Sequence, residues 1–433
     1  MPVKKILLAL LLAALCAASH ATVPEDPPQP KKELIGEKEF WNILRRGKAL
    51  EIMGALMAGA PLEARTERSR TPLLWAVYKE NEPLAQLLIN AGANLEARDA
   101  DGNTPLINAI DDGLAATARL LVEHGADVNA PGDRKTTPLL TAVEKRNEPI
   151  VRLLLEKGAK ADARDEYDDT PLLLAVEKDA PAIAELLVAS GADVNFTDED
   201  TTLPLVHAAQ KNRLNMARWL LGKGAEIEKC SADDDRTPLY AAAEKGHAAV
   251  AAMLLDRGAK LEAARKNGST PLLAAAGSKS AETVKLLLDR GANIAAADEY
   301  KRTALLIAAE NGNAETVTLL LERGADIAAE DKNGRTALVA AAERGNLPLI
   351  QLLHSKGAKL DQRTTKGDTA LSLAVRSGKT PDPALWLLDQ GVSADGAYPY
   401  KKGTATLAEL LAANKRMKDT PQKAELAQRL GAK

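Results

Sequence analysis

The sequence predicts an all-α solenoid, a stack of short helix–turn–helix repeats with projecting hairpin-like tips. Three observations predict it. Thr-Pro-Leu opens at Thr71, Thr104, Thr137, Thr170, Thr237 and Thr270, Thr-Ala-Leu continues at Thr303, Thr336 and Thr369, and Leu203-Pro204-Leu205 fills the remaining place, giving ten repeats with a period of 33 residues. A Gly-Ala pair follows about 21 residues after each opening, at Gly92, Gly125, Gly158, Gly191, Gly224, Gly258, Gly291, Gly324 and Gly357, with Gly391-Val392 in the tenth. Apolar residues make up 45% of the chain but aromatic residues only 3%, so Leu, Ala, Val and Ile must build the core. A fixed period of this length marks units that each touch only their neighbours. Such a stack offers an extended surface for holding something.

Residues 1–21 read as a secretory signal peptide. Lys4 and Lys5 precede the apolar run Ile6 to Ala18, and Ser19-His20-Ala21 supplies small residues for cleavage after Ala21. The run is short for a membrane span, and the bulky Leu15 argues against lipidation at Cys16. No other segment is apolar enough to span a bilayer, so the expectation is a periplasmic or secreted protein. Residues 22–35 are proline-rich and charged and predict an extended tether. Residues 36–65 carry two helical patterns without a Thr-Pro-Leu opening, as an N-terminal capping pair would. The ten repeats occupy 66–398, and 399–433 carry two further helical patterns, TLAELLAANKRM and PQKAELAQRLGAK, whose polar faces suit a C-terminal cap.

Within a repeat, Thr is a good N-cap and Pro fits the first helical turn. A short apolar first helix with small Ala positions follows. A second helix carries a Leu-Leu stripe, as in Leu153-Leu154-Leu155. Glycine then ends it in the left-handed conformation. An extended stretch such as ADVNA leads into a turn such as DADGN or DKNGR.

The period and the Thr-Pro-Leu, Ala-Ala, Leu-Leu and Gly-Ala-Asp-x-Asn elements together resemble the ankyrin repeat over residues 66 to about 398. The resemblance implies an ankyrin-repeat solenoid that binds a protein through its concave face and hairpin tips. One departure is consistent. The family has His after Thr-Pro-Leu, where this chain has Leu74, Ile107, Leu140, Leu173, Val206, Tyr240, Leu273, Leu306, Val339 and Ser372. The polar link of that His is lost, and apolar packing is expected to substitute.

Catalytic chemistry is not indicated. His124, His207, His247 and His354 fall at different positions of different repeats, and no Cys pair, phosphate loop, nucleophile elbow or HExxH motif is present. The chain is therefore expected to be neither an enzyme nor a cofactor or metal protein. Loss of Lys4 and Lys5 moves the net charge from -3 to -5, which argues against nucleic acid as a partner. It also leaves Cys230 as the one cysteine, so no internal disulfide is expected.

The informative residues are those that do not repeat. Three successive tips are acidic, Asp165-Glu166-Tyr167-Asp168-Asp169, Asp198-Glu199-Asp200 and Asp233-Asp234-Asp235, and the following tips lean basic, as at Lys301-Arg302. Tyr167 and Tyr300 occupy the same tip position, and Tyr78 ends a first helix. The expected partner-binding set is Tyr167, Asp168, Asp169, Glu199, Asp200, Asp233, Asp234, Tyr300, Arg302 and Tyr78. The acidic ridge suits a protein partner with a basic surface, although Asp also serves turns conformationally. The expected function is that of an exported, monomeric interaction scaffold. The alternative is a secreted effector or toxin-associated factor acting on a host or rival cell.

Overall fold

A computed structural model describes residues 35–196, 203–230, 235–400 and 403–431. The signal peptide and nearly all of the tether lie outside these residues. So do Glu199, Asp200, Asp233 and Asp234. The chain packs into two bodies, one ending at Asp133 and one beginning at Arg134.

The first body holds α1 (Glu37–Arg46), α2 (Ala49–Met57), α3 (Pro72–Tyr78), α4 (Glu82–Asn90), α5 (Pro105–Asp111) and α6 (Ala115–Glu123). In the second, first and second helices alternate as α7 (Pro138–Glu144), α8 (Glu148–Glu156), α9 (Pro171–Glu177), α10 (Pro181–Ala189), α11 (Pro204–Gln210), α12 (Leu214–Gly222), α13 (Pro238–Lys245) and α14 (Ala248–Asp256). They continue through α15 (Pro271–Gly277), α16 (Ala281–Asp289), α17 (Ala304–Glu310), α18 (Ala314–Glu322), α19 (Ala337–Arg344), α20 (Leu347–Ser355), α21 (Ala370–Ser377) and α22 (Asp382–Asp389). Two short strands, β1 (Tyr398–Tyr400) and β2 (Gly403–Ala405), precede α23 (Leu407–Ala413) and α24 (Pro421–Arg429).

The first helices start where the sequence placed them. Thr71, Thr104, Thr137, Thr170, Thr237, Thr270, Thr303, Thr336 and Thr369 each accept the backbone N–H three residues on. Leu203, in the one place without Thr, makes no such cap. The first helices are only seven or eight residues long, too short to be stable alone, so packing must hold them. Most of their leucines and alanines are buried, as at Leu73, Ala76, Leu172 and Ala175. Each first helix packs on its own second helix, and within a body on the first helices beside it. The second helices end at Gly residues with φ near +90°, as at Gly158 and Gly324, a conformation that side chains with a Cβ resist.

The position after Thr-Pro-Leu is buried and apolar in most repeats, as at Leu74, Leu140 and Leu273, in keeping with apolar packing in place of the His. The tips carry a polar scaffold of their own. Asp99, Asp165, Asp298 and Asp331 open their tips, and each accepts the backbone N–H groups two and four residues later through one carboxylate oxygen. Neighbouring tips are joined by single backbone bonds, from Glu166 N to the Arg134 carbonyl (2.8 Å), Glu299 N to Asn267 (2.8 Å), Lys332 N to Tyr300 (2.9 Å) and Thr365 N to Asn333 (2.8 Å). Below the tips, carboxylates of one repeat accept from the next, as Glu63 does from Asn94 N and Glu262 from Asn293 N. Residues at the inter-helix turns reach back to the preceding repeat. His247 Nε2 lies 3.0 Å from the Gln210 carbonyl, and Asn414 Nδ2 donates to the Val375 and Gly378 carbonyls at 2.9 Å.

The C-terminal segment departs from the sequence reading in one respect. β1 and β2 pair antiparallel, Tyr398 opposite Ala405, before the cap helices begin. Tyr398 is buried and its hydroxyl donates to the Asp395 carbonyl.

Candidate interaction surface

The tips present the expected aromatic residues. Tyr167, Tyr300 and Tyr78 are 62%, 53% and 48% exposed, against a chain whose other large apolar side chains are mostly buried. Each is flanked by cations. The Arg70 guanidinium lies 3.8 Å and the Lys79 ammonium 5.0 Å from the Tyr78 ring centre. Arg134 lies 5.9 Å from Tyr167, and Arg302 and Lys332 lie 5.5 and 5.9 Å from Tyr300. These contacts hold the rings in place without covering them.

Arg302 is committed to the framework. Its Nε and Nη2 atoms donate to Asp298 at 2.7 Å, and Nη1 lies 3.7 Å from Glu310. Asp298 is almost fully buried, so this pair anchors the loop on which Tyr300 stands. Arg302 thus supports the surface instead of forming it. Arg335 does the same in the next repeat, held by Asp331, Glu310 and Glu343.

The tip of the fourth repeat is acidic throughout. Asp168 sits at φ +60°, in the left-handed position that Gly102, Gly268, Gly334 and Gly367 hold in other repeats. Arg164 pairs with Asp168 at 3.7 Å and lies over the Phe196 ring at 4.3 Å. Asp169 is half-buried, and its carboxyl is pushed above the usual carboxylate range, first by burial and then by Asp165, Glu177 and Asp168. Glu177 closes α9 and lies 3.8 Å from His207 Nε2 on α11. The fourth repeat therefore places Asp165, Asp168 and Asp169 before the start of its first helix and Glu177 at its end.

Nothing in the sequence marked Glu177 for a role, and His207 stood there only as one of four scattered histidines. Burial depresses the His207 pKa, Lys211 and Arg213 add to that, and Glu177 opposes it. A depressed folded value means that the unfolded chain binds the proton more readily. The contribution of His207 is intact above the ordinary value of about 6.5 and is lost as pH falls below it. His207→Ala, the residue found at the matching Ala241, should flatten this loss of melting temperature between pH 7 and pH 5. An unchanged pH profile would show that His207 does not report its burial.

Among the described residues, no group of three His, Cys, Asp or Glu side chains is arranged to hold a metal, and no helix is long and apolar enough to cross a membrane. A cavity of about 620 Å³ opens on α1 and α2, lined by Lys38, Glu39, Asn42, Arg46 and Glu51 among others.

Known proteins place these features in a family. No curated protein matches the chain. Among solved structures, the ankyrin repeat domain of human ASB11 is similar, 25% identical, with 52% of this chain and 99% of that one covered and a TM-score of 0.48. A family model for ankyrin repeats, three copies to a match, fits residues 42–132, 130–198, 183–265, 261–331 and 305–396. These matches run through most of the sequence, and the chain belongs to the ankyrin-repeat family.

Proposed function

We propose that this protein is an exported, non-catalytic scaffold that binds a protein with a basic surface through the tips of its middle repeats. Ankyrin repeats mediate protein–protein interaction in general, which supports the coarse reading. The tip of the fourth repeat carries the finer one. Tyr167 stands exposed on a loop tied down by Asp165, in a tip that also carries Asp168, paired with Arg164, and the half-buried Asp169. A rigid, exposed aromatic in a charged tip is the composition of an interface anchor. Asp168 occupies a left-handed position that Ser69, Asp235 and Lys301 also hold in their repeats and where glycine would be less strained.

The sequences of the next two tips, with Glu199, Asp200, Asp233 and Asp234, extend the negative charge. Export rests on residues 1–21, and Thr22 as the first residue of the protein recovered from its host would support it. The same surface would serve an effector acting outside its own cell.

Tyr167→Ala combined with Asp168→Gly tests the reading. Glycine at 168 should leave the melting temperature unchanged or raise it, by about 0.5–1 kcal/mol of stability. Capture of a defined protein from a periplasmic extract, identified by mass spectrometry, should fall with the double variant and with added salt. Undiminished capture would remove the tip from the binding surface. A large fall in melting temperature would show that Tyr167 is packed, not presented.

A further inference from the structure

The helix pair ahead of the first repeat carries an exposed apolar stripe. Leu50 is 74% and Met57 40% exposed, and both lie on α2. Counted back from the glycine that follows each second helix, Leu50 falls where the ten repeats place Pro, Ala, Asn, Glu or Asp, as at Pro83, Asn215 and Glu282. Met57 falls where they place a small or polar residue, as at Glu123 and Asp256. These positions are exposed almost throughout, so the repeats keep them free of large apolar side chains and α2 does not.

Gly54 lies between the two. It stands where each of the ten repeats carries a large apolar side chain, as Leu87, Trp219 and Met253 do. A Cβ on Gly54 would meet nothing within 4 Å, so no contact inside the described chain calls for glycine. Nor does the backbone, which is α-helical there. Alanine would expose little apolar surface and would favour the helix more. What glycine supplies in mid-helix is room for another backbone to approach.

Leu50 lies four residues before Gly54 and Met57 three after it, in one line along α2. That line is nearly symmetric about a notch at its centre. It therefore matches itself when a second copy is turned end over end, so that Leu50 of each copy meets Met57 of the other. Charge agrees with the antiparallel sense. Lys48 pairs with Glu51 at 3.1 Å but stays largely exposed. It is the N-cap of α2, at the positive end of its own helix, and the last turn of α2 has no basic residue. Turning the second copy brings Lys48 of one chain to the negative end of the other's α2.

We propose that α2 pairs antiparallel with α2 of a second copy of this chain, crossing at Gly54. No tip residue takes part, and the pair offers two sets of tips to a partner. α2 has nine residues, so the contact is well below a standard interface and the pair dissociates in the micromolar range.

Sedimentation velocity of the full chain over a range of concentrations should show a monomer–dimer equilibrium. Leu50→Glu should leave the melting temperature of the dilute protein unchanged, because Leu50 is exposed, and should weaken the dimer at least about tenfold. Gly54→Leu places the residue of the other repeats into open space, so the chain folds, and the filled notch should weaken the dimer as much. With the native cysteines replaced by Ser, Gly54→Cys should give a disulfide-linked dimer on oxidation. Leu50→Cys should cross-link when mixed with Met57→Cys and not with itself. A chain that stays monomeric at every concentration would give the stripe another occupant and overturn the pairing. So would a dimer that either Leu50→Glu or Gly54→Leu leaves intact, or a Leu50→Cys chain that cross-links with itself.

Discussion

A chain truncated after Tyr400 should aggregate, and its repeats nearest the cut should melt well below those of the intact protein. The segment removed covers the last repeat. Leu407, Leu410, Leu411 and Leu426 are fully or almost fully buried there, and α23 packs on α21 while α24 packs on α22. Burying a leucine is worth about 1.5–3 kcal/mol relative to exposure, so the loss runs to several kcal/mol before polar groups are considered. Asn414 adds to it, because its two bonds satisfy the Val375 and Gly378 carbonyls where α21 ends. Leaving buried carbonyls unpaired costs about 1–3 kcal/mol. A solenoid is stabilised by its nearest-neighbour interfaces, so this loss falls on the end repeat, which then opens and exposes the next. Light scattering and dye binding to exposed apolar surface would register the change. Asn414→Ala alone should destabilise without aggregation. A truncated chain that stays monomeric with an unchanged melting curve would show that α21 and α22 need no cover.

The framework was legible because its signals are local. A Thr followed by Pro starts a helix by capping and by backbone pre-organisation, and both act within four residues. Gly158 or Gly324 ends one for an equally local reason. Repetition then did the rest, since ten copies of a weak signal at one period exclude accidental matches. The exposure of Tyr167 and Tyr300 followed from the same register. What escaped the sequence was anything that joins residues across a fold. Arg302 read as a surface cation because its partners, Asp298 and Glu310, lie four and eight residues away on opposite sides of a turn. The influence of Glu177 on Asp169, eight residues away across a helix, was not legible in the sequence. The carboxylate scaffold of the tips could not be read either, because Asp99 or Asp331 looks like any turn aspartate until the N–H groups that donate to it are seen. β1 and β2 are three residues each, too short for an alternating pattern to form.

Asp298→Ala should be among the most damaging single substitutions in the second body, although Asp298 lies in a tip and contributes no apolar surface. One oxygen of its buried carboxylate accepts Tyr300 N and Arg302 N at 2.9 Å, and the other pairs with the Arg302 guanidinium at 2.7 Å. Alanine leaves two backbone donors without partners and a cation facing Glu310 alone. Each orphaned group costs about 1–3 kcal/mol where water cannot reach, but Arg302 is about one-third exposed and solvent screens part of its loss. The expected total is about 2–4 kcal/mol. Asp298→Asn separates the two contributions. Its carbonyl oxygen can still accept both N–H groups, while the ion pair is gone, so it should cost about half as much. Added salt should narrow the gap between wild type and Asp298→Asn but not between Asp298→Asn and Asp298→Ala, because screening acts on charge and not on backbone hydrogen bonds. If the two variants melt alike, the ion pair is idle and the tip is held by its backbone bonds alone. If Asp298→Ala melts like wild type, the carboxylate does not hold the tip, and the packing of the helices beneath it carries the load.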